Sequence, residues 1–251
     1  MDIKKPVIIT MASIKGGVGK STLSILFSHV LKESGKKVLL IDLDPQNSLT
    51  SYFHRHVNNI KKYNVYNMLK GNVNFNECVN KINDYISIIP SHPVLENFNA
   101  EIVDFKEIVL EYYLNENIQQ CNFDYIIIDT SPNSGYLLKN ALNAANYIVI
   151  PVQIELWSLE SFTMLINSIN KISKFRNKVY NISIVENQFI KNRNIIKELE
   201  SLLHKKYKEY VKGKIHYSNG IKIFITKREE PAIKETYYEE TKNTLKNIFS
   251  V

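Results

Sequence analysis

Short uncharged runs alternate with helical periodicity along most of the chain. Val7-Ile-Ile-Thr-Met-Ala12 carries no charge and is rich in β-branched residues, the pattern of a strand buried on both faces. Lys20 to Glu33 follows with Leu23, Leu26, Phe27, Val30 and Leu31 on one stripe, which predicts a helix, and Ser34-Gly35 marks its end. Further apolar strands are predicted at Val38–Asp42, Ile86–Pro90, Tyr125–Asp129, Tyr147–Pro151 and Ile182–Val185. Helical spacing covers Tyr136–Ala145, Leu159–Ile172 and Asn192–Val211, the last with Ile195, Leu199, Leu202, Leu203 and Val211 facing inward. Ile221–Ile225 alternates as a strand, and Thr236–Phe249 reads as a closing helix. Around residues 54–100 the chain is polar and Asn-rich, and only Ile86–Pro90 stands out there.

Strands that are apolar on both faces, each followed by a helix, predict an α/β fold: a doubly wound, mainly parallel sheet with helices on both faces. There is no internal repeat and no Pro/Gly/Ser linker, so residues 1–251 read as a single domain. Hydrophobic residues make up 44% and charged residues 23%, which excludes collagen-like, low-complexity and disordered classes. No apolar run approaches the roughly 20 residues of a membrane span. Met1-Asp-Ile-Lys-Lys-Pro6 is not followed by the long apolar stretch of a secretory leader. Cys78 and Cys121 are the only cysteines and form no C-x-x-C, which argues against disulfide, zinc and iron–sulfur frameworks. A cytoplasmic protein is the expectation.

The net charge of +7 is concentrated. Residues 189–228 hold 11 Lys/Arg against 3 Asp/Glu, whereas residues 1–188 hold 18 against 17 and residues 229–251 hold 3 against 5. One 40-residue stretch therefore carries the electrostatic footprint of a polyanion partner, set against a solvated lysine-rich face in a chain with few arginines.

The chemistry begins at Lys15-Gly-Gly-Val-Gly-Lys-Ser-Thr22, between a predicted strand and a predicted helix. There, backbone amides and a helix N-terminus can hold phosphates. Gly16, Gly17 and Gly19 let the loop bend inward, Lys20 supplies a point charge for β- and γ-phosphates, and the Ser21 hydroxyl can ligate Mg²⁺. The usual phosphate loop has a glycine where Ile14 stands, so this is a variant with an additional lysine, Lys15. Two strands end on carboxylates: Asp42 and Asp44 in Ile41-Asp-Leu-Asp-Pro-Gln46, and Asp129 in Ile128-Asp-Thr-Ser-Pro132. Ligands of open α/β sheets bind at the C-terminal strand edge, where all three can converge on the loop. A carboxylate buried there needs a cation or donors, and Mg²⁺ meets that need.

With these motifs, and with Asn140-Ala-Leu142, Ala144-Ala145 and Pro151-Val-Gln-Ile-Glu155, the chain resembles the ParA/MinD family of deviant Walker-motif ATPases. The match is closest to short ParA-type partition proteins and runs over nearly the whole chain. The resemblance implies a P-loop ATPase with a deviant Walker A motif, in which Lys15 to Thr22, Val18 and Thr22 included, bind ATP. Lys15 would be the signature lysine that reaches the partner's phosphates across an ATP-sandwiched homodimer. In other systems a cation supplied in this way is worth about 10³–10⁵ in rate. Asp44 would activate the attacking water, Asp129 would hold Mg²⁺ through water, and Asp42 would orient the metal. Asn187 would face adenine, with Pro151 to Glu155 at the base-packing edge.

The resemblance further implies binding of double-stranded DNA without sequence preference as the ATP dimer, with release when a ParB-like centromere-binding protein stimulates slow hydrolysis. Candidate DNA contacts are Lys191, Arg193, Lys197, Lys205, Lys206, Lys222, Lys227 and Arg228. With the loop at residue 15 there is no room for the N-terminal helix-turn-helix of longer members, so a nucleoid-associated cytoplasmic ATPase is expected. Departures are Asn47 where a Gly is frequent, Ser131-Pro132 where Pro-Pro is frequent, and a loosely matching Ile225–Pro231.

Three alternatives stay open at this point. A MinD-like membrane positioner needs a cationic amphipathic tail, whereas Glu235–Phe249 is mixed to acidic. A tyrosine autokinase would rest on Tyr237-Tyr238 alone. A scaffold that binds ATP without hydrolysing it is argued against by Asp44. His54 and His56 read as a surface loop, Trp157 as core or pocket lining, and Tyr207 and Tyr210 as cover for the basic helix.

Overall fold

The computed structural model describes residues 5–117, 122–153, 158–189 and 194–249. Eight strands form one sheet: β1 (Val7–Met11), β2 (Val38–Leu43), β3 (Asn80–Lys81), β4 (Ile86–Ile89), β5 (Tyr125–Thr130), β6 (Tyr147–Val152), β7 (Asn181–Phe189) and β8 (Val211–His216). Their order is β3-β4-β2-β5-β1-β6-β7-β8, and every neighbouring pair is parallel except β3–β4. The predicted fold class is the observed one.

Period-two alternation distributes each strand between two cores. Ile9, Met11, Leu40, Ile127 and Val149 face one layer, built on α1 (Lys20–Glu33), α9 (Asn219–Lys227) and α10 (Thr236–Phe249). Ile8, Leu39, Ile41, Ile126 and Ile128 face the other, formed with α3 (Val65–Leu69), α4 (Phe75–Cys78), α5 (Val109–Asn117) and α6 (Tyr136–Ala144). That second layer continues over Ile148, Ile150 and Ile184 under α7 (Ser158–Arg176) and α8 (Asn194–Tyr207). No helix among the described residues is long and apolar enough to cross a membrane. Cys78 is buried and free, while Cys121 lies outside the described residues.

The Asn-rich stretch resolves into short elements held by its polar side chains. Asn64 caps α3 by accepting the Asn67 amide at 3.0 Å, Asn74 and Glu77 form a capping box on α4, and His92 caps the 3₁₀ turn Pro93–Asn99. His54 and His56 sit exposed in a 3₁₀ turn that follows α2 (Ser48–Tyr52).

Two expectations are corrected. The helix predicted to Val211 ends at Tyr207, and Val211 opens β8, which pairs with β7. Within that helix Leu203 is buried but Leu202 is 54% exposed; the side chains of Ile195 and Leu199 lie outside the described set. Ile221–Ile225 is helical rather than extended. The Ser218 side chain caps it by accepting the Gly220 amide at 3.0 Å, and Phe224 is buried while Ile223 is 52% exposed. The same residues satisfy i, i+3, i+4 spacing as well as alternation, and the cap decides.

Inside α1, His29 is buried with its Nε2 lacking a hydrogen-bond partner, and desolvation lowers its pKa to about 4. An unfolded imidazole titrates near its ordinary 6.5, so the unfolded chain binds the additional proton and stability falls as pH drops from about 6.5 towards 4. His29→Leu is expected to remove up to about 3 kcal/mol of that acid-side loss. Denaturant midpoints at pH 7 and pH 4.5 check it; an equal decline in both proteins counts against the assignment.

Candidate active site

β1 and β5 end side by side, with Met11 in register with Asp129, and β2 pairs on the far side of β5 with Asp42 opposite the same Asp129. The loop from Ser13 to Gly19 leaves β1 at this edge and enters α1 at Lys20, so loop and carboxylates converge as the sequence predicts. Gly19 has φ +91°, and a Cβ there would lie 2.2 Å from Asn187 Nδ2. Only glycine suits both the left-handed backbone and that approach. Gly19→Ala is expected to cost about 1–3 kcal/mol and to remove nucleotide binding. Thermal melting and titration with a fluorescent ATP analogue check this, and an unaltered analogue affinity contradicts it.

The outer side of the loop is held by residues from β6 and β7. Asn187 Nδ2 donates to the Val18 carbonyl at 2.7 Å, and Gln188 and Gln153 each reach the Gly17 carbonyl at 3.3 Å. Gln188 takes φ +54° to do so. Gln153 falls in the Pro151–Glu155 segment expected at the base, whereas Gln188 is not anticipated, its only signal being a position beside a strand end. Asn187, expected at adenine, here has its amide on the phosphate loop. Pro151 lies with Lys15 and Val18 around a small cavity, and Ile154–Trp157 fall outside the described residues.

Lys20 is buried, with Nζ 3.5 Å from the Lys15 carbonyl oxygen. Desolvation lowers its pKa against the attraction of Asp129 and Asp44. The three carboxylates differ in what satisfies them. Asp42 accepts the Asp44 amide at 3.0 Å and the Thr50 amide and hydroxyl at 2.8 and 2.6 Å, which ties β2 to α2; burial still raises it to about 6. Asp44 accepts the Gln46 amide at 2.9 Å. Asn47, at the position of the frequent glycine, adopts φ +48°, a conformation asparagine tolerates better than most residues.

Neither carboxylate oxygen of Asp129 has a hydrogen-bond partner, although both are fully buried. Desolvation and then the repulsion of Asp42 push its pKa up to about 8, against the pull of the Ser21 hydroxyl and the Lys20 ammonium. An unpartnered buried carboxylate beside a serine hydroxyl suits a hard divalent cation such as Mg²⁺, directly or through its water. Thr22 is half-buried in the first turn of α1.

The basic candidates are dispersed. Lys205 and Lys206 are exposed on α8, and Lys222 and Lys227 on α9. The Arg228 guanidinium packs on His54 at 3.1 Å and on Ser51 Oγ at 3.2 Å. Lys191 and Arg193 lie outside the described residues, as does the Lys197 side chain. Lys214, from the same stretch, is drawn inward between the fully buried Glu186, at 3.0 Å, and Glu200, while His204 meets Glu186 at 2.6 Å. Tyr237 and Tyr238 are core residues, and Tyr207 packs edge-to-face on Phe162 at 4.8 Å.

A glycine loop entering a helix at the carboxyl edge of a parallel sheet, faced by strand-end aspartates, defines a P-loop nucleotide-binding domain. Comparison with known proteins agrees: the AAA domain family matches residues 6–184. The protein Soj of Bacillus subtilis, a sporulation initiation inhibitor, is 35% identical over 68% of this chain and 67% of its own. An uncharacterised protein of Methanocaldococcus jannaschii is 32% identical over 78% of this chain and 79% of its own. A plasmid partition protein of Borrelia burgdorferi, solved with AMPPNP, superposes with TM-score 0.88 at 34% identity, covering 98% of this chain and 99% of that one. The chain belongs to the ParA/Soj family of partition ATPases.

Proposed function

We propose that this chain binds ATP with Mg²⁺, pairs with a second copy around the nucleotide, holds double-stranded DNA without sequence preference in that state and releases it on hydrolysis. It would thereby segregate a plasmid or chromosome as a nucleoid-associated protein of the cytoplasm, with residues 1–251 acting as one domain. The observation that carries the reading is Asp129, a buried and unpartnered carboxylate in register with Asp42, facing Lys20 and Ser21 at the mouth of the glycine loop.

The amides of Gly16 to Thr22 bind the phosphates, and Lys20 neutralises their charge. Bound Mg²⁺, held by Ser21 and Asp129, would supply further neutralisation of phosphate oxygens. Asp42 positions the Asp44 turn through the Asp44 amide and anchors α2 through Thr50. Asp44 orients the attacking water and accepts its proton. Lys15 reaches the phosphates of the second copy, and Asn187 and Pro151 border the base. DNA contacts fall to the exposed Lys205, Lys206, Lys222 and Lys227, with Lys191, Arg193, Lys197 and Arg228 as further candidates. A ParB-like centromere-binding protein would stimulate turnover. The AMPPNP complex of the Borrelia relative supports the nucleotide assignment. A MinD-like membrane tail finds little support, because α10 buries Tyr237, Tyr238, Leu245 and Ile248 in the core.

DNA retention measured with ADP, ATP and AMPPNP across a salt series tests the coupling. Binding is expected only with a triphosphate and should weaken with a log–log slope of about −0.9 per phosphate contacted. Equal retention in every nucleotide state would overturn it.

A further inference from the structure

A groove of about 740 Å³ runs between α6, α7 and the segment 105–108 that leads into α5, away from the phosphate loop, in the size range of built ligand clefts. Leu138 and Leu142 line it from α6, and Ile172 from α7. Two phenylalanines among its lining residues face solvent: Phe105 is 82% and Phe175 88% exposed. Phe105 also takes φ +51°, a conformation costly for an aromatic residue. An exposed aromatic pair beside an apolar groove is the anatomy of a binding surface rather than of ordinary surface scatter.

Charge selects the occupant. Lys106, Lys139, Lys171 and Arg176 line the groove with one carboxylate, Glu107; the Lys106 ammonium is taken up by the Asn99 and Glu101 carbonyls, which leaves Lys139, Lys171 and Arg176 as the cations of the rim. Lys139 meets Glu107 at 2.6 Å, and Arg176 meets Glu111, just outside the groove, at 2.7 Å, so carboxylates of this chain already seat on two of these cations, and the positive charge left on the rim centres on Lys171. We propose that the groove docks an amphipathic α-helix of a partner protein, with its apolar i, i+3, i+4, i+7 face on Leu138, Leu142 and Ile172 and acidic residues on its flanks.

The groove also reaches the nucleotide site through one short segment. Ser134 lines it, and two residues earlier Pro132 lies 3.9 Å from where a Cβ on Gly16 would sit. Asp129 is the last residue but one of β5, the strand that feeds this segment. A helix seated between α6 and α7 therefore bears on the turn that touches the phosphate loop. The inference rests on the ATPase reading for that consequence, and it names the recognition surface through which a partner would change turnover.

The test is a phage-displayed library of helical peptides, with both faces randomised, selected on the full chain. Enriched peptides are then assayed by fluorescence polarisation against wild type, Phe175→Asp and Phe105→Gly. Net-acidic amphipathic helices are expected, weakened about tenfold or more by either substitution, and they should change wild-type ATP turnover. Phe105→Gly relieves a left-handed backbone and should raise the melting temperature, so lost binding in that variant is not lost folding. Enrichment of neutral or basic peptides, binders indifferent to both substitutions, or no binder at all would overturn the proposal. So would Phe175-dependent binding to phosphatidylglycerol vesicles, which would assign the groove to lipid. Wild-type hydrolysis measured alongside separates the two failures: no hydrolysis sinks the ATPase reading, whereas hydrolysis without an acidic binder sinks the groove alone.

Discussion

Asp44→Ala protein is expected to bind ATP and stay paired on DNA while its phosphate release falls by about 10²–10⁴-fold, the usual worth of a positioned general base. Asp44 is only 8% exposed, follows β2 directly, and has its Oδ1 fixed by the Gln46 amide at 2.9 Å, so its carboxylate is aimed before any substrate arrives. Removing it deletes one turn contact, worth about 1 kcal/mol, and leaves Lys20, Ser21 and Asp129 where they are. Loss of hydrolysis should therefore come with retained or stronger DNA association, since the step that ends the bound state is blocked. Asp44→Asn keeps an acceptor for Gln46 but no base, and should behave the same way kinetically. Phosphate release and light scattering, each with ATP and DNA, read the two effects; unchanged release in Asp44→Ala would favour a scaffold that uses binding alone.

The second large effect runs in opposite directions for stability and function. Asp129→Asn should melt at a higher temperature than wild type in the absence of metal and nucleotide, yet lose hydrolysis. Wild-type Asp129 has a folded pKa of about 8 against an ordinary 3.8. Between those values the unfolded chain releases the proton while the folded chain holds it. Stability thus falls as pH rises from about 4 to about 8, by roughly 1.4 kcal/mol per pH unit at most. Asparagine does not ionise, so the advantage of the variant should grow with pH and shrink when Mg²⁺ and ATP are supplied to wild type. Melting curves at pH 6 and pH 8 decide it; a variant that melts lower than wild type at pH 8 refutes the account. Such a trade between stability and activity is what a site built around an uncompensated charge produces.

These expectations depend on residues whose placement was largely legible in the sequence. The six strands between the two edge strands and the bounds of α1 and α10 follow from apolar runs and helical spacing, because a strand buried on both faces leaves little else to read. The loop and its aspartates were legible for a related reason: glycines, a lysine and strand-end acids carry their chemistry in their identity. What escaped is decided by partners distant in sequence. Nothing local distinguishes Val211, which extends the sheet beyond β7, from one more turn of α8. Ile221–Ile225 fits two periods at once and is settled by the Ser218 cap. Lys214 counts as surface charge until the buried Glu186 is seen beside it. The resemblance assigns Asp42 to orienting the metal; three donors from Asp44 and Thr50 make it an anchor of the backbone as well.

One consequence of the hold on the glycine loop concerns direction. In a planar trans peptide the carbonyl and the next residue's N–H point opposite ways. Fixing the Gly17 and Val18 carbonyls outward, on Gln153, Gln188 and Asn187, turns the Val18 and Gly19 amides to the opposite side, towards the cradle. The aim of those anion-seeking dipoles is thus set by three uncharged carboxamides anchored one and two strands away, which never need to touch the anion themselves.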